Sequence, residues 1–190
     1  MAVAFCGLKG AGKSMAASIA HDLTGWPVVR TGDYIRNAAL GFHKRLNPNC
    51  VQATADELRT DGIGILDRIL RDFQSREGPI ERIIVDSVME DSDLEALEKY
   101  HYRVVLLHLH ADETVRLRRV RMRSRPDDPS DLHALRAHDS WEKGLAFQKT
   151  HGVKVIPLFN DNTIESLREL VRLNLEELMR DHSRTIHQRI

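Results

Sequence analysis

The chain has 190 residues, and its 28 Lys plus Arg balance its 28 Asp plus Glu to a formal net charge of zero. That length suits one domain with a sizeable core, and the charge balance argues against a bulk nucleic-acid or membrane-surface binder. No apolar run approaches the ~20 residues needed to span a bilayer, no basic leader precedes an apolar stretch, and Cys6 and Cys50 form no metal or disulfide pattern. A cytoplasmic protein with two structurally inert thiols is therefore expected. In chain order, residues 3–6, 27–29, 83–85, 104–109 and 153–159 are short runs rich in Val, Ile and Leu, the pattern of parallel strands covered on both faces. Between and after them, residues 13–23, 53–73, 94–100, 113–122, 132–149 and 164–179 have helical patterning, with Gly62 and Gly64 able to divide the second. The alternation predicts a single α/β domain over 1–190, three layers deep, around a five-stranded parallel sheet. Residues 33–76 are long enough for a helical insert, and the prolines of SRPDDPSD (124–131) should end one helix before Ser130 or Asp131 caps the next. The polar tail 181–190 is expected to fray.

The sharpest local signal is GLKGAGKS, from Gly7 to Ser14, which fills G-x-x-x-x-G-K-[ST] completely between a predicted strand and a predicted helix. In this P-loop context Gly7, Gly10 and Gly12 let backbone N–H groups converge on phosphate oxygens, with Ala11 and Met15 completing the nucleotide-binding set. Lys13 is expected on the β- and γ-phosphates of ATP and the Ser14 hydroxyl on Mg²⁺. Lys9, inside the loop, reads as a solvated charge. Asp86, closing the strand RIIVD, is the second metal candidate, holding Mg²⁺ directly or through water and lying near the second substrate. The fold expectation is thus a P-loop NTPase.

Two further stretches bear on what receives the phosphoryl group. In VVRTGDYIR a turn after a strand is followed, one helical turn on, by Arg36, a residue type suited to gripping a second phosphate. In DETVRLRRVRMRSRPDD six arginines fall between 116 and 125; on a helix Arg116, Arg119 and Arg123 share one face, and Arg118, Arg121 and Arg125 the adjacent one.

These stretches resemble the adenylate-kinase-like nucleoside monophosphate kinases, over about residues 1–175. The resemblance implies acceptor contacts for Thr31 and Arg36 and a place near the metal for Asp33, which is also a candidate base if the acceptor is a hydroxyl. It implies a short lid over 119–137, with Arg119 and Arg123 on the phosphates, Arg118 competing for the first role by a one-residue offset, and Arg125 and Arg136 clamping the transferred group and acceptor. The short lid is also similar to an archaeal-type branch and to dephospho-coenzyme A kinases. One departure stands out: the family's D-G-x-x-R or D-G-x-R is here Asp86-Ser87-Val88-Met89-Glu90, without the arginine.

Weaker signals read as structural. His108 and His110 share a strand face without further ligands, His133 and His138 are off-register for a shared helical metal face, and Trp26 and Trp141 read as packing residues. Asn160-Asp161-Asn162-Thr163 follows the last strand, where the family's loop lies beside adenine and where a helix cap fits equally. The sequence therefore predicts a Mg·ATP-dependent kinase acting on a small-molecule acceptor, of nucleoside-monophosphate type. A kinase for dephospho-coenzyme A or a biosynthetic intermediate, and a nucleotide-binding regulator or slow ATPase, remain the alternatives. Acceptor identity, base preference and oligomeric state are open.

Overall fold

The computed structural model describes residues 1–144 and 152–187. Its elements run β1 (Ala2–Cys6), α1 (Lys13–Thr24), β2 (Val28–Val29), α2 (Thr31–His43), α3 (Pro48–Glu57), α4 (Ile65–Glu77) and β3 (Ile83–Val85). They continue through α5 (Asp91–Lys99), β4 (Val104–His110), α6 (Glu113–Arg123), α7 (Leu132–Gly144) and β5 (Lys154–Phe159) to α8 (Ile164–His187). The sheet is parallel throughout in the order β2-β3-β1-β4-β5, as the alternating pattern predicted.

Strand periodicity sorts β1 between two cores. Val3 and Phe5 face α1 and α8, meeting Ile19, Leu167 and Val171, while Ala2, Ala4 and Cys6 face α4 and α5, meeting Leu66, Leu70 and Leu97. All five β1 residues are buried, so the strand leading into the phosphate loop is fixed on both faces. Burial also pushes the Cys6 thiol up to about 12, which keeps it protonated and inert. Because β1 pairs with β3 on one side and β4 on the other, the chain's crossovers diverge at its carboxyl end. Open α/β sheets bind ligands at such a switch point.

The predicted helix over 53–73 is two helices, α3 and α4, separated around Gly62 and Gly64, and α2 precedes them. Together these helices fill the 33–76 stretch around a small core of Ile35, Ala55 and Ile65. The helix predicted over 132–149 is described through Gly144, its remaining residues lying outside the described ones. Helix α8 is described through His187, and 188–190 of the tail expected to fray lie outside the described residues.

Candidate active site

A cleft of about 400 Å³ opens at the carboxyl ends of β1 and β3, floored by the loop between β1 and α1. Gly10 has φ +85°, and a Cβ there would lie 2.8 Å from the Arg116 carbonyl oxygen on α6, so only glycine lets the loop pass this close. Lys13 Nζ donates to the carbonyls of Gly7 at 2.5 Å and Leu8 at 3.3 Å, folding back over the loop. Gly7 does not line the cleft, whereas Gly10, Gly12, Lys13, Ser14 and Met15 do. Ala11 is buried, its carbonyl accepting from Asn160 Nδ2 at 2.8 Å, which ties the loop to the segment after β5.

The loop is also bound to the lid side. Lys9 N donates to Glu142 Oε2 on α7 at 2.8 Å, and its carbonyl accepts from Arg116 Nη1 at 3.0 Å. Arg116 is itself buried against Asp139 in a two-bond pair at 2.9 and 2.7 Å. Lys9 Nζ donates to the Asp127 carbonyl at 2.8 Å and lies 3.5 Å from Asp127 Oδ2 and 3.7 Å from Asp128 Oδ1. Its side chain is only 12 % exposed. The solvated reading of Lys9 is thereby corrected: desolvation lowers its pKa, with Asp127 and Asp128 opposing that shift.

Asp86 lines the cleft, buried, with Oδ2 accepting from Arg30 Nη1 at 3.1 Å. Arg30 also donates to Ser18 Oγ on α1, at 3.1 Å, so the carboxylate is oriented from β2. Its Oδ1 is buried without a hydrogen-bond partner. Buried carboxylate oxygens are rarely left so, and a hard oxygen donor beside the Ser14 hydroxyl in one cleft suits Mg²⁺. Among the described residues no cluster of three or more His, Cys, Asp or Glu forms a metal cage. The His108 and His110 rings lie side by side, tilted by 39° with centroids 4.0 Å apart.

Gly32, Ile35 and Arg36 of α2 line the cleft together with Val51 and Ala55 of α3. Arg36 pairs with Asp33, and its Nη1 lies 3.6 Å from Asp127 Oδ2. Two residues assigned by resemblance stand elsewhere. Asp33 is half exposed, paired with Arg36, and outside the cleft lining. Thr31 is buried, its hydroxyl donating to the Ser87 carbonyl at 2.8 Å, so it holds α2 to the loop after β3, and it is outside the cleft lining. Where the family's arginine would fall, Met89 lines the cleft, while Glu90 caps α5 and accepts from Arg59 Nε at 2.6 Å.

Of the arginine run, Arg119, Arg123 and Arg125 line the cleft, and Arg118 is outside that lining. Arg119 donates to the carbonyls of Asn160 at 2.8 Å and Asn162 at 3.2 Å; Arg123 holds Asp128 in two bonds at 2.8 and 2.6 Å. Arg136 is 62 % exposed, paired with Glu113 through two 2.8 Å bonds, and outside the cleft lining. Sequence reading missed Lys9, Glu142, His138 and Trp141 as cleft residues, and Asp127 of the Arg125-Pro126-Asp127-Asp128 stretch also lines it. The His138 and Trp141 rings meet edge to face at 5.5 Å, and burial lowers the His138 pKa. Their shared helical spacing was visible, but nothing local told that face of α7 from a packing one.

An AAA domain profile matches residues 3–139. A UPF0200 protein of Methanothrix thermoacetophila is 32% identical over 184 residues, covering 94% of this chain and 98% of that protein. Among solved structures, a gluconokinase from Sinorhizobium meliloti 1021 superposes with TM-score 0.61 at 15% identity, over 97% of this chain and 96% of that one. Shikimate kinase from Acinetobacter baumannii, in complex with shikimate, gives 0.56 at 15% identity over 95% and 93%. At such identities these structures share the fold.

Proposed function

The chain belongs to the UPF0200 family and carries an AAA domain, and from that premise we propose that it is a P-loop kinase transferring the γ-phosphoryl group of ATP to a small-molecule acceptor. The observation that carries this reading is Arg36. It lines the same cleft as the phosphate loop, but from α2, on a separate element that also presents Ile35 to that cleft. Hydrolysis needs one nucleotide site; an arginine and an apolar wall facing that site from a helical insert give a second molecule something to bind. The gluconokinase and shikimate kinase likenesses support this reading at the level of fold.

In this account the loop N–H groups and Lys13 hold the β- and γ-phosphates, and Arg119 and Arg123 approach from the lid. Ser14 and Asp86 would hold Mg²⁺, which when bound supplies neutralisation of phosphate charge. Arg36 orients the acceptor, and Arg125, whose backbone N–H is fixed by Asp128 at 3.1 Å, presents a further guanidinium to the cleft. The bond from the γ-phosphorus to the β–γ bridging oxygen breaks, its electron pair leaving on ADP, as the acceptor oxygen bonds to phosphorus. Positioning and charge placement do the work, without a covalent enzyme intermediate.

Within that class a nucleoside monophosphate is the acceptor the sequence resemblance favours. The cleft-facing Met89 favours a second reading, an acceptor carrying less negative charge, such as a hydroxyl compound. A panel of nucleoside monophosphates, dephospho-coenzyme A and small polyols with Mg·ATP distinguishes them. One acceptor should raise ATP turnover many-fold, and Arg36→Ala should lower kcat/KM for it by tens, as a charge-assisted contact of ~1.5–3 kcal/mol implies. Turnover indifferent to every acceptor would support the regulator or slow ATPase instead.

A further inference from the structure

Lys9 is set apart from the loop's other residues by how it is held. Its main chain is fixed at both ends of the residue, N–H by Glu142 and carbonyl by the Arg116–Asp139 pair, so the side chain alone is free to change partners. Its ammonium carries three donors but makes one hydrogen bond of ordinary length, to the Asp127 carbonyl. The carboxylates of Asp127 and Asp128 stand at 3.5 and 3.7 Å, longer than good N–H···O bonds.

Those two carboxylates differ. Asp128 is satisfied without Lys9, by two bonds from Arg123 and one from Arg125 N. Asp127 is 2 % exposed, its Oδ1 has no partner, and its Oδ2 sits between Lys9 Nζ at 3.5 Å and Arg36 Nη1 at 3.6 Å. A buried anion with loose contacts to one cation from the phosphate loop and one from the acceptor side occupies electrostatically the place that a phosphoryl group in transit would take. A phosphate oxygen offers both cations shorter, stronger bonds than this carboxylate does.

We propose that Lys9 binds the transferring phosphoryl group and that Asp127 is its resting counter-ion, exchanged for phosphate when nucleotide binds. The proposal rests on the phosphoryl-transfer reading for its chemistry, but its test needs no turnover. Calorimetric affinities for Mg·ADP and for a non-hydrolysable Mg·ATP analogue are compared in the wild type, Lys9→Met and Asp127→Asn. Lys9→Met should weaken the analogue at least ten-fold while ADP changes less than about three-fold, because the contact is to the third phosphate. Lys9→Arg should restore most of that loss. Asp127→Asn should tighten the analogue several-fold, since the competing anion is gone.

A merely structural tie between loop and lid would behave otherwise, with Lys9→Met and Asp127→Asn weakening both nucleotides together. Equal losses for ADP and analogue in Lys9→Met, or analogue binding no tighter in Asp127→Asn, overturn the proposal. Should Lys9→Met fail to fold by circular dichroism, the Asp127→Asn comparison decides alone. If Lys9 discriminates the analogue from ADP while no acceptor is ever phosphorylated, the kinase reading falls and the role of Lys9 stands.

Discussion

At Asp93 a single side chain shows how burial next to the cleft converts into measurable behaviour. Its carboxylate accepts from Met89 N at 2.8 Å and Glu90 N at 3.4 Å, fixing the loop that carries Asp86 and Met89 into the cleft. Full burial outweighs those bonds, and with Glu90 adding to the shift and Arg59 opposing it, the pKa rises from 3.8 to about 6. The native chain therefore keeps this proton to about pH 6, whereas the unfolded chain releases it near pH 4. Between those values the native state binds more protons, so this group's contribution to stability falls as pH rises. About two pKa units correspond to roughly 3 kcal/mol. Asp93→Asn, which can still accept both bonds, should thus gain stability over wild type as pH goes from 4 to 7, read from urea midpoints at each pH. A constant difference across that range would contradict the assignment. Lys9 teaches the same lesson in the opposite charge: its burial comes from Asp127 and Glu142, 118 and 133 residues away, so no local pattern could separate it from a solvated lysine.

Helices α6 and α7 act as one unit with the phosphate loop. The link is the Arg116–Asp139 pair, 23 residues apart and buried on both sides, which also supplies the bond to the Lys9 carbonyl. Removing one member leaves the other charge buried and unpaired, a cost of about 3–5 kcal/mol. Asp139→Ala is therefore expected to lose that much stability in urea unfolding and to bind ADP more weakly, because Arg116 no longer anchors the loop. A loss under about 1 kcal/mol with unchanged ADP affinity would show the pair to be incidental. The helix α6 itself was legible from its patterning over 113–122, and in the structure Asp112 caps it, its side chain accepting from Thr114 N at 2.8 Å. Which arginine met which carboxylate was not legible, since Arg136 finds Glu113 on the surface while Arg116, on the same run as the lid arginines, turns into the interior. Likewise the break at Gly62 and Gly64 and the start of a helix carrying Arg36 could be read, whereas the extent of α2, Thr31–His43, was not given by its patterning.

Across the whole molecule, the parallel sheet sets the phosphate loop at its switch point, and α2 and α3 wall a cleft that Arg119, Arg123 and Arg125 also line. The sheet and the loop were readable because both are written in contiguous residues: buried apolar runs, then eight residues of complete motif. The acceptor side was only partly readable. Arg36 lines the cleft, Asp33 pairs with it three residues away on the same helix, and Thr31 bonds the Ser87 carbonyl, a tertiary partner that no local pattern names. What unites these parts is the claim that the terminal phosphate passes from the loop to a second molecule held under Arg36. The most direct test is to incubate the protein with Mg·ATP labelled on the γ-phosphate and the acceptor panel, then follow the label. The account predicts label covalently bound to one acceptor, with Lys13→Ala folded by circular dichroism yet reducing its appearance by at least a hundred-fold, the scale of ~3 kcal/mol of lost charge stabilisation. Label found only in free phosphate, whichever acceptor is present, would contradict it.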